Sequence, residues 1–217
     1  MTLSLFSYWR ASAPHRVRIA LALKGLAYDY HAINLAAGEQ AGEAYGEVNP
    51  QHLTPALVSE GVVLTQSPAI LEWLEETCPE PPLLPVAAID RATVRAMAAT
   101  VACDIHPLNN LRVLRALAEL GHPMGGPEQR AWAGRWIADG FAALEPLIAR
   151  HGRGFAFGST PTIADCCLIP QIVSAARFDV DLTPFPAIAA VGERCSRHPA
   201  FGAAAPERQP DAPQTAA

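Results

Sequence analysis

The spacing of apolar residues changes once along this chain. Through residues 1–80 a two-residue repeat alternates with a 3.6-residue one, and beyond residue 87 only the helical repeat remains. Leu3 to Phe6 reads as a short strand. Val17, Ile19, Ala20, Leu21 and Leu23 then form the apolar face of a helix that starts within a residue or two of Ser12, its candidate cap. Pro14 suits the first turn of that helix, Gly25 its end, and Arg16 and Arg18 begin its polar face. Tyr28 to Ile33 is a second strand and completes a βαβ unit. A weak helix over Glu39 to Glu47 stops at Asn49-Pro50. Ala56 to Ser59 and Val62 to Leu64 flank Glu60-Gly61, a pair suited to a tight hairpin. Ser67 to Glu76 closes this half as a helix, with Ser67 as cap and Pro68 in its first turn.

The proline-dense run CPEPPLLP then reads as a linker. Four helices are expected beyond it: one long helix from Ala87 to about Leu120, bent near Pro107, then Glu128 to Arg150, Thr162 to Arg177 and Ala187 to Arg197. Thr162 and Asp165 have the spacing of a reciprocal capping box, and the helix behind them is apolar nearly all round, as a buried hub should be. The expected architecture is therefore α/β plus all-α. A βαβ-ββα domain spans 1–80, a linker 81–86, an all-helical domain 87–207 and a tail 208–217.

Composition narrows the function classes. Of 217 residues 50% are hydrophobic and 17% charged, the profile of a globular protein, and the net charge of -5 argues against a nucleic-acid partner. No run approaches the roughly 20 apolar residues that span a membrane, and no secretory leader is evident, so a cytoplasmic protein is expected. Cys78, Cys103, Cys166, Cys167 and Cys195 form no C-x-x-C pair and read as reduced, mostly buried thiols; with the scattered histidines they predict no metal.

Two stretches carry candidate chemistry. Phe6 to Leu26 is a strand end, a polar loop and a helix start, where unused N–H groups and the helix dipole favour an anion. A thiolate, a carboxylate or a phosphate fits equally well, and an ordinary strand-loop-helix corner is the plain alternative. Thr54-Pro55, ahead of a strand, would with a cis proline present the Thr54 backbone to a ligand as though to another strand.

The stretches RVRIALALKG, NPQHLTPAL, QSPAILEWLEE, LLP, CDIHPLNNLRVL, TPTIADCCLIPQ and RFDVDLTPFP resemble, almost end to end, the zeta class of glutathione transferases, the maleylacetoacetate and maleylpyruvate isomerases. The resemblance implies a thioredoxin-like first domain, a helical second one, a homodimer, glutathione as cofactor and a maleyl dicarboxylate as substrate. It implies that Gln66 and Ser67 hold the γ-glutamyl end of glutathione, that Thr54 and Pro55 meet its cysteinyl backbone, and that His52 and Gln51 approach the glycyl end. Ser12 is the one hydroxyl left to serve the thiolate, because Ala11, Ser12 and Ala13 stand where the class usually has Ser-Ser-Cys. Arg10 and Arg177 occupy positions that bind substrate carboxylates in relatives, and Arg112 is a third candidate. Asp104, His106, Asn109 and Asn110 lie on the expected long helix at spacings that place several near one face, and part of this segment faces the active site or the partner's glutathione in relatives. Surface hydration for Arg112, a helix C-terminal role for Arg177 and a structural role for His106 are the competing readings. Three functions follow: a glutathione-dependent cis-trans isomerase, a conjugating or dehalogenating transferase, or a non-catalytic binding module.

Overall fold

The computed structural model describes residues 2–214. It divides into two compact units, one formed by residues 2–83 with 197–214 and the other by residues 84–196.

In the first unit, strands β1 (Leu3–Ser7), β2 (Asp29–Ala32), β3 (Ala56–Ser59) and β4 (Val62–Thr65) form one sheet in the order β2-β1-β3-β4. β1 and β2 run parallel and are joined through helix α1 (Ser12–Leu23), while β3 pairs antiparallel with both β1 and β4. Glu60 and Gly61 both take positive φ, 52° and 81°, as a two-residue hairpin turn requires. Gly25, at φ 64°, ends α1: its N–H reaches Ala22 O and the Leu26 N–H reaches Leu21 O, the paired bonds of a Schellman stop. The weak helix splits into a single 3₁₀ turn, Glu39–Ala41, and α2 (Glu43–Val48). α3 (Ser67–Thr77) closes the half, and Leu3, Leu5, Val17, Ile19, Leu21, Leu57, Ile70 and Leu74 fill the core.

Three expectations need correction here. Ser12 and Ser67 are not caps: the N-cap positions are Ala11 and Gln66, and neither helix start has a side-chain cap bond. Arg16 and Arg18 do not begin a solvated face but are 2% and 0% exposed. Burial is tolerable because hydrogen bonds engage the guanidinium groups: Arg18 donates to Ser7 Oγ, the carbonyls of Tyr8 and Trp9, and Ala204 O. Lys24 is likewise buried, its ammonium held by Glu75 and by the carbonyls of Cys78 and Pro81.

The third correction concerns the end of the chain. The tail expected from 208 is folded as far as the described residues reach; 215–217 lie outside them. Helix α9 (Pro199–Ala204) packs on α1, and a 3₁₀ turn over Pro206–Arg208 follows. Residues from 197 on thus belong to the first unit rather than to the helical one.

The second unit holds α4 (Ala88–Ala99), α5 (Leu111–Glu119), α6 (Pro127–His151), α7 (Ile163–Arg177) and α8 (Pro186–Ser196). The single helix expected from Ala87 to Leu120 is interrupted. α4 passes into a π turn at Thr100–Ile105 and a 3₁₀ turn at His106–Asn109, and Asn110 leaves the helical region at ψ 148°. Pro107 explains the break: it lacks the N–H that a continuing α-helix would need there, even though His106 before it keeps helical dihedrals, φ -57° and ψ -42°. The Trp132 indole takes up one exposed carbonyl, that of Leu108, at 2.7 Å. α7 is the buried hub, with its capping box present. No described helix is long and apolar enough to cross a membrane.

Candidate active site

Helix starts in this fold differ in what answers their unused N–H groups. In the second unit the Asn110 side chain caps α5, Thr162 and Asp165 cap α7, and Glu145 accepts from Ala187 N and Ile188 N at the start of α8. α4 and α6 each carry an acid in the first turn, Asp90 and Glu128. In the first unit α2 has Glu43, and the His198 ring accepts at the start of α9. Among the described residues α1 and α3 alone have neither a side-chain cap nor an acid in the first turn. Their positive ends are left for something other than the chain's own oxygens.

These two starts are neighbours. Arg16, one turn into α1, donates from Nη1 to Ser67 Oγ at 3.2 Å, placing a buried cation beside the first residue of α3. Ser12 sits half-buried at the first position of α1, and its hydroxyl has no partner among the described residues. Ser67 is 3% exposed. Gln66, immediately before it, is held at φ 67°, a region that residues with a Cβ seldom enter, and its amide donates to Gln51 Oε1 at 2.7 Å. Burial, and then the nearby Arg18, push the His15 imidazole down to about 3. His15 is therefore neutral near pH 7, and the start of α1 gains no charge from it.

The loop across from these helix starts is fixed in direction. Thr54-Pro55 is cis. The Leu53 carbonyl, in the same peptide group as the Thr54 N–H, accepts from the Tyr45 hydroxyl at 2.7 Å and from the Asn49 amide at 2.6 Å. Within the described residues no hydrogen bond engages the N–H or C=O of Thr54 itself, so both remain for a strand-like partner. His52, at φ 55°, is exposed and bonds through Nδ1 to Gln40 O at 2.7 Å. Arg10 is exposed in the turn before α1, its guanidinium 5.7 Å from the centre of the Trp9 ring.

In the second unit Asp104 lies exposed in the π turn, with His106 half-buried and Asn109 buried in the 3₁₀ turn. They do not share a helix face with the regular spacing expected, because the turn size changes between them. Arg112 is exposed in the first turn of α5. Arg177 ends α7, where it donates to Ser174 Oγ at 3.3 Å and lies 4.9 Å from the Phe178 ring centre.

The comparisons with known proteins bear on this arrangement. A family model of the glutathione S-transferase N-terminal domain matches residues 12–77. A maleylpyruvate isomerase from a Ralstonia species is 50% identical over 214 residues, covering 96% of this chain and 99% of that protein. The chain belongs to the zeta class of glutathione transferases. Among solved structures, the holo form of a maleyl pyruvate isomerase, a bacterial zeta-class glutathione S-transferase, matches with a TM-score of 0.93 at 50% identity, over 97% of this chain and 100% of that one. A maleylacetoacetate isomerase from Anaeromyxobacter dehalogenans, with dicarboxyethyl glutathione and citrate bound in its active site, gives 0.87 at 46% identity, over 98% of each chain.

In this zeta-class chain the residues expected around glutathione in the first unit, Ser12, Gln51, His52, Thr54, Pro55, Gln66 and Ser67, lie at the two open helix starts and the cis-proline loop. Sequence reasoning missed Arg16, the cation that joins those starts. The signal was an arginine inside an otherwise apolar run, at a position the helical repeat buries. It also missed Asn49 and Tyr45, which fix the Leu53 carbonyl; Asn49 was read only as a helix breaker.

Proposed function

We propose that the chain is a glutathione-dependent cis-trans isomerase that converts a maleyl dicarboxylic acid, maleylpyruvate or maleylacetoacetate, to its fumaryl isomer. The observation that carries this reading is that, among the described residues, α1 and α3 alone have neither a side-chain cap nor an acid in the first turn, with Arg16 between them. Two adjacent positive helix ends fit a ligand with two separate anionic groups, as glutathione has in its thiolate and its γ-glutamyl carboxylate. The strand-like backbone of Thr54 suits the peptide between them.

Glutathione, when bound, supplies the sulfur whose addition to and loss from the substrate lets the double bond turn. The chain's residues do the rest. The Ser12 hydroxyl and the N–H groups of α1 stabilise the thiolate and so favour it at neutral pH. Gln66 and Ser67 hold the γ-glutamyl end, with His52 and Gln51 toward the glycyl end. Arg10, Arg112 and Arg177 provide planar, permanently charged forks for the two substrate carboxylates and for the negative charge that develops on the substrate oxygens. Asp104, His106 and Asn109 complete the binding of glutathione. The Anaeromyxobacter dehalogenans relative, with dicarboxyethyl glutathione and citrate in its active site, supports a dicarboxylate substrate. A reducing cytoplasm suits five cysteines without a disulfide among the described residues, and the same reading makes the protein a homodimer.

A second reading, a conjugating or dehalogenating transferase, draws on one departure. Ala11-Ser12-Ala13 places no cysteine at the start of α1. An absorbance assay of both maleyl acids, with and without glutathione, decides between them. Loss of either acid only when glutathione is present supports the isomerase. Turnover of a chlorinated aryl acceptor without loss of either acid selects the transferase.

A further inference from the structure

The loop that carries Arg10 is anchored from the far end of the chain. Its Tyr8–Trp9 peptide group is held at both ends. The Trp9 N–H donates to Asp211 Oδ2 at 3.0 Å, and the Tyr8 carbonyl accepts from Ala11 N at 3.0 Å and from Arg18 Nη1 at 3.4 Å. The next peptide group is held by Arg18 Nη2, which donates to Trp9 O at 2.9 Å. Arg18 is itself oriented by the C-terminal segment, since its Nε donates to Ala204 O at 3.2 Å. Asp211 is kept in place by the Tyr30 hydroxyl, which donates to Oδ1 at 2.6 Å. Two contacts from residues 204–211 therefore fix two consecutive peptide groups some two hundred positions earlier, on the approach to Arg10 and Ser12.

We propose that Asp211 is a positioning residue for substrate binding: through the Trp9 N–H its carboxylate sets the loop that presents the Arg10 guanidinium to a substrate carboxylate. The inference rests on the role given to Arg10 above. The chemistry favours an acceptor at this point. The Trp9 N–H is partly buried, an amide left without an acceptor there is costly, and a charged acceptor makes the stronger bond. Tyr30 and Trp9 use opposite oxygens of one carboxylate, so Asp211 ties β2 to the loop as well as closing the C-terminal segment. Arg10, flanked by these fixed peptide groups and stacked near the Trp9 ring, inherits its placement from them.

The test uses the full chain and three variants: Asp211→Ala, Asp211→Asn and Tyr30→Phe. Hydrogen exchange at the Trp9 amide, followed by NMR without substrate, reads the anchoring. KM for maleylpyruvate and for maleylacetoacetate at saturating glutathione reads the placement of Arg10. Asp211→Ala is expected to speed Trp9 exchange about tenfold or more and to raise KM about tenfold, with a smaller fall in kcat and the calorimetric affinity for glutathione within about twofold. Asp211→Asn keeps a neutral acceptor for the Trp9 N–H and should move both readouts less than Asp211→Ala does. Tyr30→Phe removes one partner of the carboxylate while keeping the ring. It should shift both readouts the same way by less, and it carries the test should Asp211→Ala not fold.

Unchanged Trp9 exchange in Asp211→Ala overturns the proposal, as does faster exchange with unchanged KM. A rise in KM that Asp211→Asn fully shares also overturns it, because charge and not the hydrogen bond would then be responsible. A wild type that turns over neither maleyl acid overturns the isomerase reading and the role given to Asp211 with it. That failure is distinguishable, since the exchange measurement needs no substrate.

Discussion

The starts of α1 and α7 face the same physical problem and meet it in opposite ways. α7 closes itself. Asp165 accepts from Thr162 N at 2.8 Å and from Ala156 N at 2.7 Å, and Thr162 completes the box. Desolvation raises the buried Asp165 carboxyl to about 6 despite those bonds. α1 begins at Ala11, with a cap-like backbone at φ -75° and ψ 130° but no side chain able to cap, and α3 begins at Gln66 without a cap bond. A self-capped start belongs to folding; an open start beside a buried arginine has room for a ligand's charge. The difference separates a corner that answers its own charge from one that does not.

Giving α1 its own anion should have the largest effect. Ala11→Asp places a carboxylate where the backbone already has cap geometry, so the fold should gain about 1 kcal/mol. The new charge would oppose the thiolate, and turnover of the maleyl acid should fall about a hundredfold. Melting temperature and steady-state rate, measured on one preparation, check both halves; a more stable variant with unaltered turnover would show that the start of α1 is not where the thiolate sits.

Opening α7 should do the reverse. Asp165→Ala leaves the Ala156 and Thr162 amides without their acceptor and should cost about 2 kcal/mol of stability by denaturant titration. The affinity of the remaining folded protein for glutathione should not change, and a loss of affinity comparable to the loss of stability would blur the distinction between the two corners.

The smallest effect concerns pH, and its sign differs between the units. His15 has a folded value of about 3 against 6.5 in the unfolded chain, so its contribution is complete above pH 6.5 and is lost as pH falls toward 3. Asp165 has a folded value of about 6 against 3.8, so its contribution is complete below 3.8 and is lost as pH rises through 6. Between pH 6.5 and 4, acidification should narrow the stability gap between wild type and His15→Gln and widen the gap between wild type and Asp165→Asn. Each gap should move by several degrees in melting temperature, at about 1.4 kcal/mol per pH unit between the folded and unfolded values and about 2–4 °C per kcal/mol for a chain of this size. Gaps that move in the same direction would mean that one of the two groups titrates as it does in water.

Much of this was legible from the sequence, and what was not shares a physical reason. The hairpin at Glu60-Gly61, the stop at Gly25, the cis Thr54-Pro55 and the capping box at Thr162 and Asp165 are local, so a few adjacent residues determine them. Arg16 and Arg18 were read as solvated because helical spacing cannot see what makes their burial tolerable. One bonds Ser67, 51 positions away, and the other Ala204, 186 positions away. The same blindness assigned the residues after 197 to the helical half. Around Pro107 the failure was one of period: a π turn followed by a 3₁₀ turn shifts the helical phase, so Asp104, His106 and Asn109 could not be placed on a face by counting.

The most direct test is a titration of thiolate absorbance in the glutathione complex, for wild type and Ser12→Ala. An open helix start with the Ser12 hydroxyl should hold the bound thiol well below the value of about 8.5 for an unperturbed cysteine, and Ser12→Ala should raise it by about one unit. A bound thiol that titrates as it does in free glutathione, or a curve that Ser12→Ala leaves in place, would contradict the account.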